Sequence, residues 1–507
     1  MGYFLGIDIG TFESKGCIVD ENFKILKTAK KSHSLRTPKP GWAEHDANEI
    51  WWNDFVRLSR ELLSDIDAKK IIAVGCSAIA PTMLPVDKNG EPLRPAILYG
   101  IDTRASSEIE DLEKMLGKKW IRERCWNDLS SQSVGPKILW FKRNEPHLFE
   151  KTWKIMTATS FIVYKLTKQV VIDFYTAAAF TPLFNLNTLK WQEELSEVLV
   201  PPEKLPFPMW TASIAGTVTK EAYLETGIPV GTPVIVGTAD AAAEFVSAGG
   251  SAPGDFMIMI GTTIFFIGML SNPPKSEKLW NSVFLEPNSY CLAGGMATGG
   301  ALTKWFRDNF AEREIAEAER QNLDAYEILY KESSRIPPGS QGLLVLPYFS
   351  GERTPLNDPK ARGVIAGLTI SHGKYHIYRA LLEGVAFGIR HNFEEMEKER
   401  LNISRVIAVG GGTKNPLWLD IISSVIDREL LVPKVTIGAS FGDTLLAAIS
   451  QKVFRKLRDI SRIFNDYKII QPDNYLHQVY NKYYEIYRNI WNSIRNWVHK
   501  LADFGRE

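Results

Sequence analysis

Apolar residues form strand-length runs that twice reverse direction at a Gly-Thr pair. Residues 3–8 and 15–19 flank Gly10-Thr11, and the run over residues 255–268 contains Gly261-Thr262. An apolar run, a tight glycine turn and a second apolar run are typical of a β-hairpin. The pattern therefore predicts two hairpins, and each of them turns on glycine and threonine.

Two further apolar runs each lead into a helix. Residues 234–240 precede a small-residue helix predicted over 241–246, and residues 405–413 precede a helix predicted over 416–427. We interpret the repeated order of hairpin, strand and helix as a duplicated α/β unit. The alternative is a coincidence between two glycine turns.

Longer helices are predicted where apolar residues recur every three or four positions. This spacing occurs over residues 47–65 and 376–398. It also occurs in the tail, residues 474–504, whose rings are Tyr480, Tyr483, Tyr487, Trp491 and Trp497. We expect these rings to pack on the body of the protein rather than to bind a ligand.

The chain has 507 residues, which is more than one hydrophobic core normally organises. Residues 200–208 are rich in proline and must be irregular, because proline cannot donate a backbone hydrogen bond. Residues 249–254, Gly-Gly-Ser-Ala-Pro-Gly, are the best candidate for a hinge. We therefore predict an α/β protein of two domains, residues 1–249 and 250–507.

Charge and composition exclude several classes of protein. Sixty basic residues against 59 acidic ones give a net charge of +1, which offers no basis for binding nucleic acid or an anionic membrane surface. No apolar stretch approaches the roughly 20 residues of a membrane span, and Asp8 comes too early for a secretory signal. The four cysteines are scattered, which favours a reducing compartment. We expect a cytoplasmic protein.

Asp240 is the strongest candidate for a catalytic residue. It ends the apolar run 234–240 at a turn of small residues. An open α/β sheet places its chemistry at the carboxyl ends of buried strands. The alternative is structural, because an aspartate at this point also serves to cap the next helix. The two Gly-Thr turns favour catalysis.

The first Gly-Thr turn carries groups that suit a phosphate. Its glycine lets an anion approach the backbone amides, Thr11 adds a hydroxyl group and Lys15 adds a positive charge. Asp8 precedes the turn and offers the carboxylate that Mg²⁺ accepts together with water and phosphate oxygens. In the second turn Met259 replaces this carboxylate. We expect one phosphate-binding turn from each domain and a metal-binding acid only in the first.

A glycine triplet at residues 410–412 forms a third turn. It precedes a helix that begins at Asn415, a favourable cap, and Pro416, a favourable first residue. Three glycines leave room for a flat ring against the backbone, although a simple tight connection explains them equally well. The triplet is not the dinucleotide fingerprint G-x-G-x-x-G.

Together these positions resemble the FGGY family of carbohydrate kinases, which share the actin-like, ribonuclease-H-like ATPase fold. The resemblance spans almost the whole chain. Its motifs are GIDIGT at residues 6–11, GWAEHD at 41–46 with Trp51 and Trp52, PKILWF at 136–141, GALTKW at 300–305, GVIAGL at 363–368 with His376, Ile377, Ala380, Leu382 and Glu383, and the triplet at 410–412. The resemblance implies two such domains that flank a catalytic cleft, with ATP and Mg²⁺ bound in it.

The resemblance also implies a role for each site residue. Asp240 is then the general base, which takes a proton from a sugar hydroxyl as this group attacks the γ-phosphate, and Asp8 positions Mg²⁺. The phosphates contact Thr11, Lys15 and Thr262, while the adenosine pocket is lined by Gly300, Lys304, Gly411, Gly412 and Asn415. ATP and a small sugar or polyol are the expected partners, and a homodimer is left open.

The substrate motif is atypical. Xylulokinase-like members usually carry Met-His after the third strand and glycerol kinases carry Arg-Glu, whereas this chain has Ala80-Pro81. These side chains offer no polar group, so the sugar hydroxyls must be bound elsewhere, by Trp42, Glu44, Asp102 or Arg104. Trp42 either stacks on the sugar or belongs to the core. We predict a substrate site of Asp240, Ala80, Pro81 and Trp42, with a ketopentose such as xylulose as the first candidate.

Three hypotheses follow. The leading one is an ATP-dependent kinase of a ketopentose, with ribulose, glycerol, a tetritol or gluconate as alternatives. The second is a sugar- and nucleotide-binding regulator without catalysis, which the intact Asp8, Thr11 and Asp240 disfavour. The third is an actin-like assembly ATPase, which the motif at 363–383 and the long segment 81–208 disfavour.

Overall fold

The computed structural model describes residues 2–399, 401–434 and 437–505. Both predicted hairpins form. Tyr3–Ile9 pairs antiparallel with Glu13–Val19, and Asp255–Ile260 pairs antiparallel with Ile264–Leu270. The amide of each turn glycine donates back across its turn, at 3.3 Å in the first hairpin and 3.0 Å in the second. The prediction of two Gly-Thr hairpins is confirmed.

Helices and strands are mixed along the whole chain. The helices are α1 (Asn53–Leu63), α2 (Ser106–Leu116), α3 (Lys118–Cys125), α4 (Val134–Asn144), α5 (Pro146–Lys151), α6 (Ala158–Thr167), α7 (Phe174–Ala177), α8 (Lys220–Thr226), α9 (Asp240–Ser247), α10 (Gly300–Phe310), α11 (Glu312–Gln321), α12 (Ala325–Ser333), α13 (Lys374–Lys398), α14 (Pro416–Ile426), α15 (Ala439–Ser450) and α16 (Asn474–Phe504). The strands are β1 (Tyr3–Ile9), β2 (Glu13–Val19), β3 (Ile25–Ser32), β4 (Glu44–His45), β5 (Ile71–Ala78), β6 (Leu84–Val86), β7 (Ala96–Ile97), β8 (Lys154–Met156), β9 (Val171–Asp173), β10 (Phe184–Asn185), β11 (Lys190–Trp191), β12 (Phe207–Met209), β13 (Ile214–Thr217), β14 (Pro233–Ile235), β15 (Thr238–Ala239), β16 (Asp255–Ile260), β17 (Ile264–Leu270), β18 (Trp280–Val283), β19 (Tyr290–Met296), β20 (Leu344–Leu346), β21 (Val364–Ala366), β22 (Arg405–Val409), β23 (Leu430–Pro433) and β24 (Tyr467–Ile470).

Two large sheets share the order of their central strands. The first runs β3-β2-β1-β5-β14-β13, and the second runs β18-β19-β17-β16-β22-β23-β24. In the first sheet, β1 pairs parallel with β5, and β5 pairs parallel with β14. In the second sheet, β16 pairs parallel with β22, and β22 pairs parallel with β23. This shared order confirms the predicted duplication of an α/β unit. We refer to the part with the first sheet, whose strands lie within residues 3–239, as the first unit, and to the part with the second sheet, whose strands lie within residues 255–470, as the second unit.

One predicted correspondence between the units is wrong. The sequence matches the run that ends at Asp240 with the run over residues 405–413, but β22 takes the position of β5, next to the hairpin. The counterpart of β14 and α9 is β23 followed by α15. All these parallel strands are buried apolar runs, so only their neighbours in the folded sheet distinguish them.

Helices α9 and α15 contact each other between the two sheets. Ala243 and Gly442 are the fourth residues of these helices, and a Cβ built on Gly442 would lie 2.0 Å from the carbonyl oxygen of Ala243. Only glycine permits this approach. Around the contact, one hydrophobic cluster includes Phe4 of β1 and Met257 of β16. The two units therefore share a core where the related helices meet.

A long insertion distinguishes the first unit from the second. Residues 79–232, between β5 and β14, contain α2 to α8 and have a separate core that includes Ile138, Phe141 and Phe180. The equivalent connection of the second unit, from β22 to β23, contains α14. The insertion supplies many of the residues that line the cavity described below.

The aromatic tail forms α16, as the sequence predicts. Tyr480, Tyr487 and Trp491 are buried in the core of the second unit, whereas Trp497 is 66% exposed. Packing on the body is thus confirmed for the first part of the helix. Neither α16 nor any other helix of the described residues combines the length and hydropathy needed to cross a membrane.

Candidate active site

A cavity of about 280 Å³ lies between the two units. Four residues that the sequence singles out line it: Thr11, Ala80, Pro81 and Asp240. The second unit contributes Thr263, Phe265, Trp280, Asn281, Ser282, Ala293 and Arg353. The volume is close to that of sites for small molecules. Residues from both units thus surround one space of ligand size.

Asp240 is the first residue of α9, and it lines this cavity. The preceding strand β15 positions it by pairing with the end of β5. Its Oδ1 accepts a hydrogen bond from Ala241 N at 2.7 Å, while the cap position belongs to Ala239. Oδ2 has no hydrogen bond within the described residues. One oxygen is therefore held by the helix, and the other is available to a ligand.

Burial raises the pKa of Asp240 to about 7; the hydrogen bond from Ala241 N opposes the rise, and the charge of Glu244 adds to it. Glu244 lies one helical turn further on, and burial raises its pKa to about 6. A carboxyl group that titrates near neutrality can both accept and release a proton at physiological pH. The environment of Asp240 therefore suits a general base.

Asp8 lies near the carboxyl end of β1, opposite Lys15 of β2. It is only 7% exposed. Burial raises the pKa of Asp8, the charges of Asp240 and Glu244 raise it further, and Lys15 opposes the rise. Because several carboxylates share one buried region, a bound cation would stabilise their charged forms.

Asp443 is a buried carboxylate that the sequence analysis missed. It is the fifth residue of α15, just as Glu244 is the fifth residue of α9. Ser77 Oγ lies 2.8 Å from Asp443 Oδ2 and 3.3 Å from Asp8 Oδ1, and Asp443 Oδ1 has no hydrogen bond in the described part of the chain. Burial and the charge of Asp8 raise the pKa of Asp443. No local pattern marks this residue, and it becomes apparent only when α9 and α15 are compared.

Lys15 lies beside the carboxylates and outside the lining of the cavity. Its Nζ is 3.6 Å from Glu13 Oε1, and its side chain is 40% exposed. A Cβ built on Gly438 would lie 3.7 Å from Lys15 Nζ and 3.4 Å from Glu244 Oε2, so these opposite charges flank the start of α15. The ammonium group thus remains accessible to an anion near the first Gly-Thr turn.

The second Gly-Thr turn contacts the start of α10. Gly300 N donates to Gly261 O at 2.8 Å, and the next amide donates to Thr262 O at 3.0 Å. The structure thereby brings together Thr262 and Gly300, which are predicted for the phosphate and adenosine sites. Lys304 lies on the same helix, but its exposed side chain pairs with Asp308 one turn further on.

The glycine triplet packs against the strand that precedes the second turn. A Cβ on Gly410 would lie 2.7 Å from Ile260 O, and one on Gly412 would lie 2.1 Å from Ile260 Cγ2. Packing alone therefore requires glycine at these two positions. Gly411 has no atom within 4 Å of its Cβ position, so it faces open space. Asn415 caps α14 through its side-chain oxygen, as the sequence predicts.

The structure does not bring Trp42 to the cavity. The guanidinium carbon of Arg104 lies 3.8 Å from the centre of the Trp42 ring. Arg104 is itself buried and forms ion pairs with Glu44 at 2.9 Å and with Asp102 at 2.7 Å. The four residues that were candidates for sugar recognition therefore form one packed group outside the lining of the cavity.

Polar residues that the sequence analysis missed line the cavity instead. They are Tyr99, Asn127, Asp128, Ser130, Gln132, Ser133, Tyr175, Thr176 and Thr181 from the insertion, with Asn281, Ser282 and Arg353 from the second unit. The hydroxyl group of Tyr99 lies 3.4 Å from Thr11 Oγ1, next to the first turn. For Arg353, the one available signal was a charged segment bounded by Gly351 and Pro355, which is typical of a loop.

The carboxylates fit a metal ion that arrives with phosphate. Among the described residues there is no group of three or more His, Cys, Asp or Glu side chains arranged to hold a metal. Mg²⁺ usually takes one or two carboxylates and completes its shell with water and phosphate oxygens. Asp8 offers one such carboxylate beside the first turn, so its donor set suits Mg²⁺ and not a cage of protein ligands alone.

Comparisons with known proteins agree with this architecture. The sequence models of the N-terminal and C-terminal domains of the FGGY family of carbohydrate kinases match residues 3–247 and 256–451. The chain is 29% identical to the xylulose kinase of Lactococcus lactis over 521 residues, which cover 100% of both chains. It is 27% identical to the gluconokinase of Bacillus subtilis over 509 residues, which cover 99% of this chain and 98% of that one. The crystal structure of the xylulose kinase from Rhodospirillum rubrum matches with a TM-score of 0.90 and 28% identity, over 98% of this chain and 100% of that one.

Proposed function

The chain belongs to the FGGY family of carbohydrate kinases, and we propose that it transfers the γ-phosphoryl group of ATP to a hydroxyl group of a ketopentose such as xylulose. Membership makes it a phosphotransferase with an alcohol group as acceptor. The names of its relatives support the choice of a ketopentose, because xylulose kinases occur among both the sequence and the structural matches.

The position of Asp240 carries the proposal. Its carboxylate lines the cavity between the units, one of its oxygens is free of hydrogen bonds in the described residues, and its pKa is raised to about 7. As general base, Asp240 accepts the proton of the sugar hydroxyl while the hydroxyl oxygen bonds to the γ-phosphorus and the bond to ADP breaks. A positioned base accelerates such a step roughly 10²–10⁴-fold.

The two Gly-Thr turns support a site for the phosphates. We assign Thr11 and Lys15 from the first unit and Thr262 from the second unit to the phosphate oxygens. Asp8 would hold Mg²⁺, which when bound neutralises the charge of the phosphates. The protein itself has to bring the γ-phosphate and the sugar together and to exclude water. Two units that each carry one Gly-Thr turn can do both when they close on the ligands.

The adenosine group is assigned to the surface beside the second turn. Gly300 contacts that turn directly, and Gly411 presents open backbone next to it. Gly412, Asn415 and Lys304 lie around this surface, with Asn415 engaged as a helix cap and Lys304 paired with Asp308. We therefore expect backbone contacts to dominate the binding of the base.

Gluconate is the second candidate substrate. The observation that favours it is Arg353, a cation in the lining of the cavity, because gluconate carries a carboxylate and xylulose does not. The similarity to the gluconokinase of Bacillus subtilis supports the same candidate.

A coupled assay of ADP release tests the proposal. The purified protein with MgATP would be given D-xylulose, D-ribulose, D-gluconate, glycerol and erythritol in turn. We expect release of ADP that depends on a sugar, a loss of roughly 10²–10⁴-fold in kcat for Asp240→Asn, and unchanged ATP binding in that variant. Asp466→Asn, in an exposed aspartate before β24, is the matched control. Normal turnover by Asp240→Asn would refute the role of the base, and no release with any of these compounds would refute the substrate class.

A further inference from the structure

We propose that Arg353 determines the substrate specificity by binding the part of the sugar that carries acceptor-only oxygens, which is the carboxylate of an aldonate or the keto group of a ketose. This inference rests on the proposed function, because it names the residue that orients the substrate of that reaction. It also explains how a cavity without polar groups at Ala80 and Pro81 can recognise a sugar.

Arg353 is the one basic residue in the lining of the cavity within the described residues. The lining also contains two acidic residues, Asp128 and Asp240. Asp128 already has a partner, because Arg122 binds it at 2.5 Å. The guanidinium group of Arg353 makes no ion pair or hydrogen bond with the part of the chain that the structure describes. Its charge opposes the rise in the pKa of the buried Glu352 carboxyl group, but its N–H groups have no acceptor among the described residues. Partly buried donors without an acceptor indicate a site completed by a ligand.

Among the other polar groups of the lining, the hydroxyl groups of Thr176 and Ser282 have no hydrogen-bond partner in the described residues, and several others are engaged. Asn127 and Asn281 are hydrogen-bonded together. Gln132 Oε1 accepts a hydrogen bond from Gly100 N at 3.1 Å. The hydroxyl groups of Tyr99 and Thr11 lie 3.4 Å apart. Arg353 therefore offers the largest set of hydrogen-bond donors that has no protein acceptor.

The neighbours of Arg353 hold its backbone in place. Glu352 Oε1 accepts hydrogen bonds from Ala297 N and from Arg353 N, both at 2.8 Å. Thr354 Oγ1 accepts from Gly295 N at 2.8 Å and donates to Asn392 Oδ1 at 2.6 Å. Both neighbours are buried. The segment is thus anchored to the end of β19 on both sides of Arg353, which is how a rigid protein supports a binding residue.

The chemistry of the guanidinium group limits what it can bind. It has five N–H donors and no acceptor, and its planar fork matches two oxygens of one group. A carboxylate offers two charged acceptors, and a keto oxygen offers one that carries no proton. A polyol hydroxyl is a weaker partner than a carboxylate, because it carries no charge. Unlike a keto oxygen, it also carries a proton that the guanidinium group, which has no acceptor, cannot bind.

Binding measurements without ATP test this role separately from catalysis. D-gluconate, D-xylulose and xylitol would be titrated calorimetrically into the wild type, Arg353→Gln and Arg353→Lys. Xylitol is the matched ligand, since it differs from xylulose by reduction of the keto group. Arg320→Gln, in an exposed arginine of α11, is the matched protein control.

We expect Arg353→Gln to raise the Kd for gluconate or xylulose about 10- to 100-fold and the Kd for xylitol less than about threefold. Arg353→Lys keeps the charge and loses the fork, so it should be intermediate for gluconate. A larger loss for gluconate than for xylulose identifies the carboxylate as the group bound, and the reverse identifies the keto group. The melting temperature of Arg353→Lys should be unchanged, because lysine keeps the charge that acts on the buried Glu352 carboxyl group and the guanidinium group has no hydrogen bond to the described residues.

Two results would overturn the inference: equal loss for all three ligands in Arg353→Gln, or no loss for any of them. Absence of binding of both sugars to the wild type would also overturn it. The proposed function is tested separately, by the release of ADP. If the wild type phosphorylates sugars and Arg353→Gln binds all three ligands as the wild type does, the proposed function stands and only this inference is rejected.

Discussion

Asn127 and Asn281, which both line the cavity, bind each other directly from the two units. Asn127 Nδ2 donates to Asn281 O, and Asn281 N donates to Asn127 Oδ1, each at 2.8 Å. Asn127 follows α3 in the insertion of the first unit, whereas Asn281 lies in β18 at the edge of the second sheet. An ion pair between Arg122 and Glu277, at 2.8 Å, joins the same two segments. Separation of the two units on this side must break these contacts.

Replacing Asn127 with Ala should weaken the binding of the sugar. Two hydrogen bonds at about 1 kcal/mol each would be lost from the closed arrangement, so the KM for the sugar should rise about 10-fold or more while kcat changes less. Steady-state kinetics with D-xylulose and D-gluconate would measure this. Asn309→Ala, in an exposed asparagine of α10, should behave as the wild type. An unchanged KM in Asn127→Ala would show that this pair does not contribute to closure.

The activity should fall as the pH drops below about 7, because Asp240 accepts a proton only as a carboxylate and its pKa is raised to about 7. Below the midpoint, kcat/KM for the sugar should decrease about tenfold per pH unit. Glu244→Gln removes a charge that raises the pKa of Asp240, so its profile should shift towards lower pH. A profile that is flat across this range, or a midpoint that Glu244→Gln leaves in place, would contradict this electrostatic account.

Asp240 should also destabilise the folded protein at neutral and alkaline pH. Its pKa is raised from 3.8, the value expected in the unfolded chain, to about 7 in the folded protein. The protonated carboxyl group therefore contributes stability that is fully present below pH 3.8 and is lost as the pH rises to about 7. Asp240→Asn cannot ionise, and its melting temperature without ligand should exceed that of the wild type by a margin that grows with pH over this interval. Asp466→Asn, with an exposed side chain, should show no such margin. Equal melting temperatures of Asp240→Asn and the wild type at about pH 8 would contradict the effect of burial.

The contact between α9 and α15 should not tolerate a side chain at Gly442. Gly442→Ala places a methyl group 2.0 Å from Ala243 O, and the helices must separate to accept it. Such overpacking costs roughly 1–3 kcal/mol or more, so the melting temperature should fall. Gly411→Ala is the control, because no atom lies within 4 Å of its Cβ position. If Gly442→Ala melts with the wild type, the two helices do not approach as closely as described.

Local patterns determined the hairpins, the tail helix and the position of Asp240. Strand and helix periodicity, a glycine turn and a helix cap depend on residues within a few positions of one another. The same patterns located Asp8 and Thr11 at the first turn, and the hairpin register then placed Asp8 opposite Lys15. For these residues the sequence contained the physical cause of the structure.

Only the tertiary structure decided which distant residues share the cavity with Asp240. Arg353 and Asn281 line it, whereas Trp42 packs on the buried Arg104 outside that lining. The same holds for β22, which the sequence pattern pairs with the strand before Asp240 and which takes the place of β5 in the folded sheet. The physical reason is that side-chain contacts and strand order arise from chain segments that lie far apart in sequence, so no pattern of neighbouring residues can specify them.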